Sequence, residues 1–99
     1  MALMEISVVP LGLGTPSVGD YVAALVDYLR DHKIPYRLTD MSTVIEGSPA
    51  KLLEWAGILH ELPFEKGVHR VVTHITIDDR RDKKVALGDK TAAVEARLT

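Results

Sequence analysis

Residues 41–47 constrain the fold most, because they place an acid at the end of a β-branched run. Thr43, Val44 and Ile45 are followed by Glu46 and by a glycine that can end a strand. This pattern predicts an interior strand. A carboxylate inside a sheet must be paired, hydrogen-bonded or protonated, because desolvation destabilises its charge. Glu46 is therefore either a residue with a specific partner or an acid at a solvent-exposed strand end.

Period-two patterns predict three further strands. Residues 3–10 alternate weakly between apolar and polar side chains, and Pro10 ends the run. Residues 36–40 form a short strand that must pair with residues 41–47 as a hairpin, since almost nothing separates the two. Residues 68–78 are the longest strand candidate.

A helix is predicted over residues 18–32, with Ser17 as its N-cap and Asp20 in its first turn. Its apolar stripe comprises Val18, Tyr21, Val22, Leu25, Val26 and Leu29. The preceding loop contains Gly12 and Gly14, half of a G-x-G-x-x-G pattern without the third glycine. The glycines indicate a tight turn with positive φ. Exposed amides at this helix N-terminus could also hold an anion.

A second helix is predicted to begin at Ser48 as N-cap and Pro49 as first residue. Pro63 is expected to bend or interrupt this helix, and Gly67 to cap its C-terminus. The residues expected in its buried stripe are Leu52, Leu53, Trp55, Ala56, Leu59 and Leu62. A third helix is predicted over residues 87–98.

The order β-α-β-β-α-β with an additional C-terminal helix predicts an α+β fold of the ferredoxin-like type, a four-stranded antiparallel sheet in a single domain over residues 1–99. Two helices cover only one face of such a sheet. The residues expected on the second face are Ser7, Val9, Val44, Val72, His74 and Thr76. Because an exposed face with this aliphatic character usually meets a partner, we expect a homo-oligomer formed through the open face.

Composition and charge narrow the function classes. The formal net charge of -2 argues against a nucleic-acid partner. The chain has no cysteine, so no disulfide is expected, and its four histidines are too scattered to predict a metal site. No apolar run approaches the ~20 residues that cross a bilayer, so membrane insertion is not expected. The N-terminus lacks a basic region and cleavage site, which predicts a cytoplasmic protein.

Five segments, in this order along the chain, resemble the small thiamine-binding proteins of the YkoF-like superfamily. They are Ile6-Ser-Val-Val-Pro-Leu-Gly12, Pro16-Ser-Val18, Thr43-Val-Ile-Glu-Gly47, Arg70-Val-Val-Thr73 and Ile77-Asp-Asp-Arg-Arg81. The resemblance implies a ferredoxin-like fold and assembly into dimers or tetramers. It also implies that thiamine, or its hydroxymethylpyrimidine part, is bound without being converted, and that no other cofactor is needed.

An aminopyrimidine presents an amino group and ring nitrogens, which a carboxylate and hydroxyls can bind in a pocket that is partly shielded from water. The residues compatible with this role are Ser7, Thr43, Glu46 and Thr73. Tyr21 and Tyr36 are candidates to stack on the ligand, whose thiazolium ring carries a positive charge. The threonines are equally explained as strand residues with no ligand.

Three functions remain open. The first is a non-enzymatic, homo-oligomeric binder of thiamine or a hydroxymethylpyrimidine relative. The second is an oligomeric assembly or regulatory module without a thiamine ligand. The third is an enzyme that uses Glu46 as a base.

Overall fold

The computed structural model describes residues 1–99 and contains seven regular elements. They are β1 (Ala2–Leu11), α1 (Gly19–Asp31), β2 (Tyr36–Leu38), β3 (Thr43–Gly47), α2 (Pro49–Glu65), β4 (Arg70–Asp78) and α3 (Asp89–Glu95). The predicted order of strands and helices is confirmed. None of the helices is long and apolar enough to cross a membrane.

The four strands form one sheet in the order β2-β3-β1-β4, and every neighbouring pair is antiparallel. This is the ferredoxin-like arrangement, so the predicted fold class is confirmed. Ile6 of β1 lies opposite Thr43 of β3, and Leu11 at the end of β1 lies opposite Arg70 of β4. β1 and β3 are therefore the central strands.

The core lies between one face of the sheet and helices α1 and α2. Met4, Ile6 and Ile45 are buried on the sheet side, as are Leu29 and Leu59 on the helices. The other face carries the remaining alternate residues, with Val9 opposite Val72, Ser7 opposite His74 and Glu5 opposite both Val44 and Thr76. The predicted division of these residues between the two faces is confirmed.

The ends of α2 follow the sequence signals. The Lys51 amide donates to the Ser48 hydroxyl at 3.3 Å, and Pro49 occupies the first turn. At the other end Gly67 has a φ of +87°, and its amide donates to the Phe64 carbonyl at 3.1 Å. The Val68 amide donates to the Pro63 carbonyl at 3.2 Å, which completes a Schellman motif.

The expected N-cap of α1 and the expected interruption of α2 at Pro63 are both wrong. α1 begins at Gly19 with Val18 in the N-cap position, and no side chain caps it; the Ser17 amide instead donates to the Thr15 hydroxyl. Pro63 does not interrupt α2, which continues to Glu65. The helix ends within one turn of Pro63, so its missing N–H and its ring disturb only the final turn.

α2 packs directly on the backbone of β3 at Gly47. A Cβ atom at this position would lie 2.7 Å from Cζ3 of Trp55, which is closer than real side chains approach. Glycine is therefore required at residue 47 by the close approach of the Trp55 ring. This contact packs Trp55 of α2 against the last residue of β3.

Leu53 was expected in the buried stripe of α2, and this is wrong, because its side chain is 56% exposed. It lies one residue beyond Leu52, which is completely buried, and so falls outside the stripe. α3 is shorter than predicted and has no buried residue; Val94 and Leu98 are 57% and 69% exposed.

Leu25→Ala should lower the free energy of unfolding by ~2–5 kcal/mol, because Leu25 is buried in the core. Leu53→Ala is the matched control and should change stability by no more than ~0.5 kcal/mol, as exposed positions usually do. Urea unfolding of both variants measures the difference. Equal losses would contradict the assignment of the helix faces.

Candidate functional site

β1 is paired unequally along its two edges. Toward β4 its pairing extends from Leu3 to Leu11, whereas toward β3 it stops at Ile6. Residues 7–11 of β1 therefore have no strand beside them on the β3 side. Backbone amides and carbonyls that point toward this side are free to bind a ligand, because no ladder partner satisfies them.

A cavity of about 190 Å³, here called the β1-edge cavity, lies at this open edge. Its walls come from β1, from the first turns of α1 and from the β2–β3 loop. The apolar lining residues are Ile6, Val8, Val9, Val18, Val22, Leu25, Leu38 and Met41. The polar lining residues are Ser7, Thr39, Asp40, Ser42 and Thr43. Mostly apolar walls with a few polar groups are typical of small-molecule sites.

Hydrogen bonds hold the loop that forms one wall. The Thr39 hydroxyl donates to the Ser42 carbonyl at 2.8 Å and accepts from the amides of Met41 and Ser42. The Ser42 hydroxyl donates to Oε2 of Glu5 at 2.9 Å. The loop is thus tied to itself and to β1, so the wall is preorganised.

Ser7 and Thr43 supply the free hydroxyls of the site. Their side chains leave opposite faces of the sheet, but both residues line the cavity, because it lies just beyond the last β1–β3 pair. Neither hydroxyl has a hydrogen-bond partner within the chain. No buried polar side-chain atom is left unsatisfied, so the Thr43 hydroxyl reaches solvent although the residue is only 3% exposed. Asp40 adds an exposed carboxylate without an ion-pair partner.

The other four predicted site residues lie elsewhere. Tyr21 is in the first turn of α1, with Nζ of Lys66 5.9 Å from its ring centroid. Thr73 faces α2, where its hydroxyl is 2.7 Å from Nδ1 of His60. Tyr36 is half-buried and packs against the hydrophobic core. Glu46 lies on the sheet face away from α1 and α2. Ser7 and Thr43 line the same cavity, whereas Tyr21, Tyr36, Glu46 and Thr73 do not. Ligand binding by any of the six remains a prediction.

Glu46 holds the C-terminal segment on the sheet. Its Oε1 accepts a hydrogen bond of 2.6 Å from the Leu87 amide, in a partly buried position. Two more contacts secure this segment: Arg37 donates to the Thr91 hydroxyl at 3.4 Å, and Lys90 pairs with Asp78. The acid at the end of β3 thus has a specific partner, 41 residues away along the chain.

In the charged turn between β4 and α3, each arginine forms an ion pair with an aspartate of the same turn. Arg80 pairs with Asp82 at 2.5 Å, and Arg81 pairs with Asp79 at 2.7 Å. Hydrogen bonds from these guanidinium groups lower the pKa of both carboxyls below their usual range. All four residues are exposed, so the pairs contribute little to stability. The arginines of this turn are occupied by neighbouring acids.

The structure is a ferredoxin-like domain with a cavity of about 190 Å³ at the open edge of β1. Over residues 4–95 the sequence matches the family described as thiamine-binding protein. The chain belongs to this family, which confirms the resemblance to the YkoF-like thiamine-binding superfamily.

Relatives match this chain over nearly its whole length, and solved structures share its fold. The UPF0045 protein YqgV of Bacillus subtilis is 46% identical over 102 residues, covering 99% of this chain and 98% of its own. The crystal structure of MJ1052 from Methanocaldococcus jannaschii is 29% identical, with a TM-score of 0.84 over 95% of each chain. A Thermotoga maritima protein, whose description proposes a role in thiamine biosynthesis or salvage, shares the fold with a TM-score of 0.76. It covers 94% of this chain and 97% of its own, at 16% identity.

Sequence reasoning missed Asp40 and the open edge of β1. The predicted strands over residues 3–10 and 41–47 differ in length by one residue, so they carry almost no signal for the edge. The edge opens because β3 begins at Thr43, opposite Ile6. Asp40 was assigned to the end of a strand, whereas in the structure β2 ends at Leu38 and Asp40 lies in the loop.

Glu46→Ala should release the C-terminal segment while the rest of the fold survives. A hydrogen bond to a charged acceptor contributes ~1.5–3 kcal/mol, so amide hydrogens of residues 87–95 should exchange faster. Glu46→Gln is the control, because glutamine keeps an acceptor oxygen and should show a smaller effect. Hydrogen-exchange mass spectrometry provides the measurement. Unchanged exchange in Glu46→Ala would show that the Leu87 contact does not hold the segment.

Proposed function

We propose that this protein binds thiamine or its hydroxymethylpyrimidine part in the β1-edge cavity, without converting it. Membership of the thiamine-binding family supports the ligand class. The ligand is placed in the β1-edge cavity because the hydroxyls of Ser7 and Thr43, which have no hydrogen-bond partner, lie there beside the open edge of β1. Hydroxyls and backbone groups can donate to the ring nitrogens and accept from the amino group of a pyrimidine.

The size of the cavity favours the pyrimidine ring as the part that is enclosed. At about 190 Å³ the cavity is smaller than the ~300–1,000 Å³ typical for drug-sized ligands. A single substituted ring is a better match than both rings of thiamine, so the thiazolium would extend outward.

Binding is favoured over catalysis by the contact that Glu46 makes. The enzyme hypothesis assigned the role of base to this residue. Its carboxylate accepts the Leu87 amide in the structure, which supports a structural role for Glu46. The free groups of the β1-edge cavity are suited to hold a ring by hydrogen bonds. A cytoplasmic location stays a prediction from the sequence.

Calorimetric titration of the protein with thiamine and with hydroxymethylpyrimidine tests the proposal. Both should bind, and Ser7→Ala and Thr43→Val should each weaken binding about two- to tenfold, because a neutral hydrogen bond contributes ~0.5–1.5 kcal/mol. Thr73→Val removes the same chemical group outside the cavity and should leave affinity unchanged.

Three outcomes would contradict this assignment. If the protein binds neither thiamine nor hydroxymethylpyrimidine, the proposed ligand class is wrong. A loss of affinity in Thr73→Val together with none in Thr43→Val would move the site to the predicted residues outside the cavity. If Glu46→Gln loses affinity for the ligand while hydrogen exchange at residues 87–95 is unchanged, Glu46 itself contacts the ligand.

We also propose that the protein works as a homo-oligomer formed through the sheet face opposite α1 and α2. The C-terminal segment covers this face near Arg37, Glu46 and Asp78, and leaves its other end, with Val9 and Val72, without a covering element. Apolar side chains in such a position favour burial against a second copy.

Sedimentation should therefore give a mass that is a multiple of 10.9 kDa, consistent with a dimer or tetramer. Val72→Lys should shift the protein toward the monomer, because it places a charge in the proposed contact. Ile75→Lys is the control: it lies on the same strand, opposite Ile6 and therefore on the other face, and it is 42% exposed. A monomeric parent protein, or dissociation by Ile75→Lys alone, would contradict this interface.

A further inference from the structure

A second cavity, here called the basic cavity, lies on the other side of β1 from the β1-edge cavity. Its volume is about 350 Å³, and it lies between the end of β1, the first turns of α1 and the connection from α2 to β4. The charged or titratable residues in its wall, apart from Tyr21, are Lys66, His69 and Arg70. No acid lines it, although acidic residues outnumber lysine and arginine by 14 to 12 in the chain.

Neither lysine nor arginine in the wall of the basic cavity forms an ion pair within the chain. The ion pairs of the fold involve Lys51, Arg80, Arg81 and Lys90, and neither Lys66 nor Arg70 is among them. Lys66 is placed by an aromatic ring, with its Nζ 5.9 Å from the centroid of Tyr21. Two unpaired cations in one acid-free wall attract an anion.

Backbone amides are available at the same place. Gly12 and Leu13 lie in the wall beyond the end of β1, and neither amide donates a hydrogen bond within the chain. Gly12 has a φ of +78°, and a Cβ atom there would meet nothing within 4 Å, so its backbone is open to an approaching group. Charged side chains together with free amides are the donors that bind phosphate oxygens.

We propose that the basic cavity binds the phosphate group of a phosphorylated ligand whose ring occupies the β1-edge cavity. This inference rests on the proposed function, and it specifies the ligand as a phosphate ester. Both cavities adjoin the same part of the molecule: Val9 and Val22 line one, and Leu11 and Tyr21 line the other. A ligand with a ring and an anionic tail can therefore contact both across the end of β1.

Titrations with thiamine, thiamine monophosphate, thiamine diphosphate and pyrophosphate test the inference. The parent protein should bind the diphosphate at least tenfold more tightly than thiamine, because hydrogen bonds to charged groups are the strong ones. The double variant Lys66→Gln/Arg70→Gln should lose this preference and keep its affinity for thiamine. Lys83→Gln/Lys84→Gln removes the same charge from the exposed turn and should keep the preference.

Equal affinity of the parent protein for thiamine and its diphosphate would overturn the inference, as would a preference that survives in Lys66→Gln/Arg70→Gln. If thiamine does not bind at all, the proposed function fails. Pyrophosphate then tests, independently of thiamine, whether the basic cavity binds a phosphate group. Pyrophosphate should shift the amide resonances of Gly12 and Gly67 in the parent and not in the double variant. Absence of that shift, with no binding of the diphosphate, would end the proposal.

Discussion

The unequal pairing of β1 is the constraint on which the rest of the structure depends. Where β1 is paired on both edges, from Leu3 to Ile6, its inward side chains Met4 and Ile6 are fully enclosed by the two helices. Where only β4 accompanies it, the β3 side opens and the β1-edge cavity forms. The first half of this strand thus lies in the middle of the core, and its second half forms one wall of the β1-edge cavity.

Much of the fold could be predicted, because its signals are local. Ser48 and Pro49 specify a helix start through their own backbone geometry, and Gly67 specifies the end through its positive φ. Alternation within β1 and β4 assigned side chains to the correct faces. The error at Ser17 concerns where α1 begins, which sequence signals locate only to within a residue or two. The error at Leu53 concerns how α2 is rotated on the sheet, which is set by packing with residues distant along the chain.

The candidate site was less predictable, since its contacts join residues far apart along the chain. The sequence left open whether Glu46 has a specific partner or lies at a solvent-exposed strand end; in the structure the Leu87 amide, 41 residues away, donates to it. Thr73 and Thr43 are indistinguishable as strand threonines, yet one contacts His60 of α2 and the other borders a cavity. The choice between them depends on how many residues of β3 accompany β1, which becomes visible only when the register is known.

The close approach of Trp55 to Gly47 has a practical consequence. Trp55 is the only tryptophan in the chain, and its ring rests against the residue that follows Glu46. Indole emission responds to the polarity around the ring, so this side chain is a built-in optical reporter at the junction of β3 and α2. Detachment of α2 from the sheet would place the ring in water, and its fluorescence would record that event without any added label.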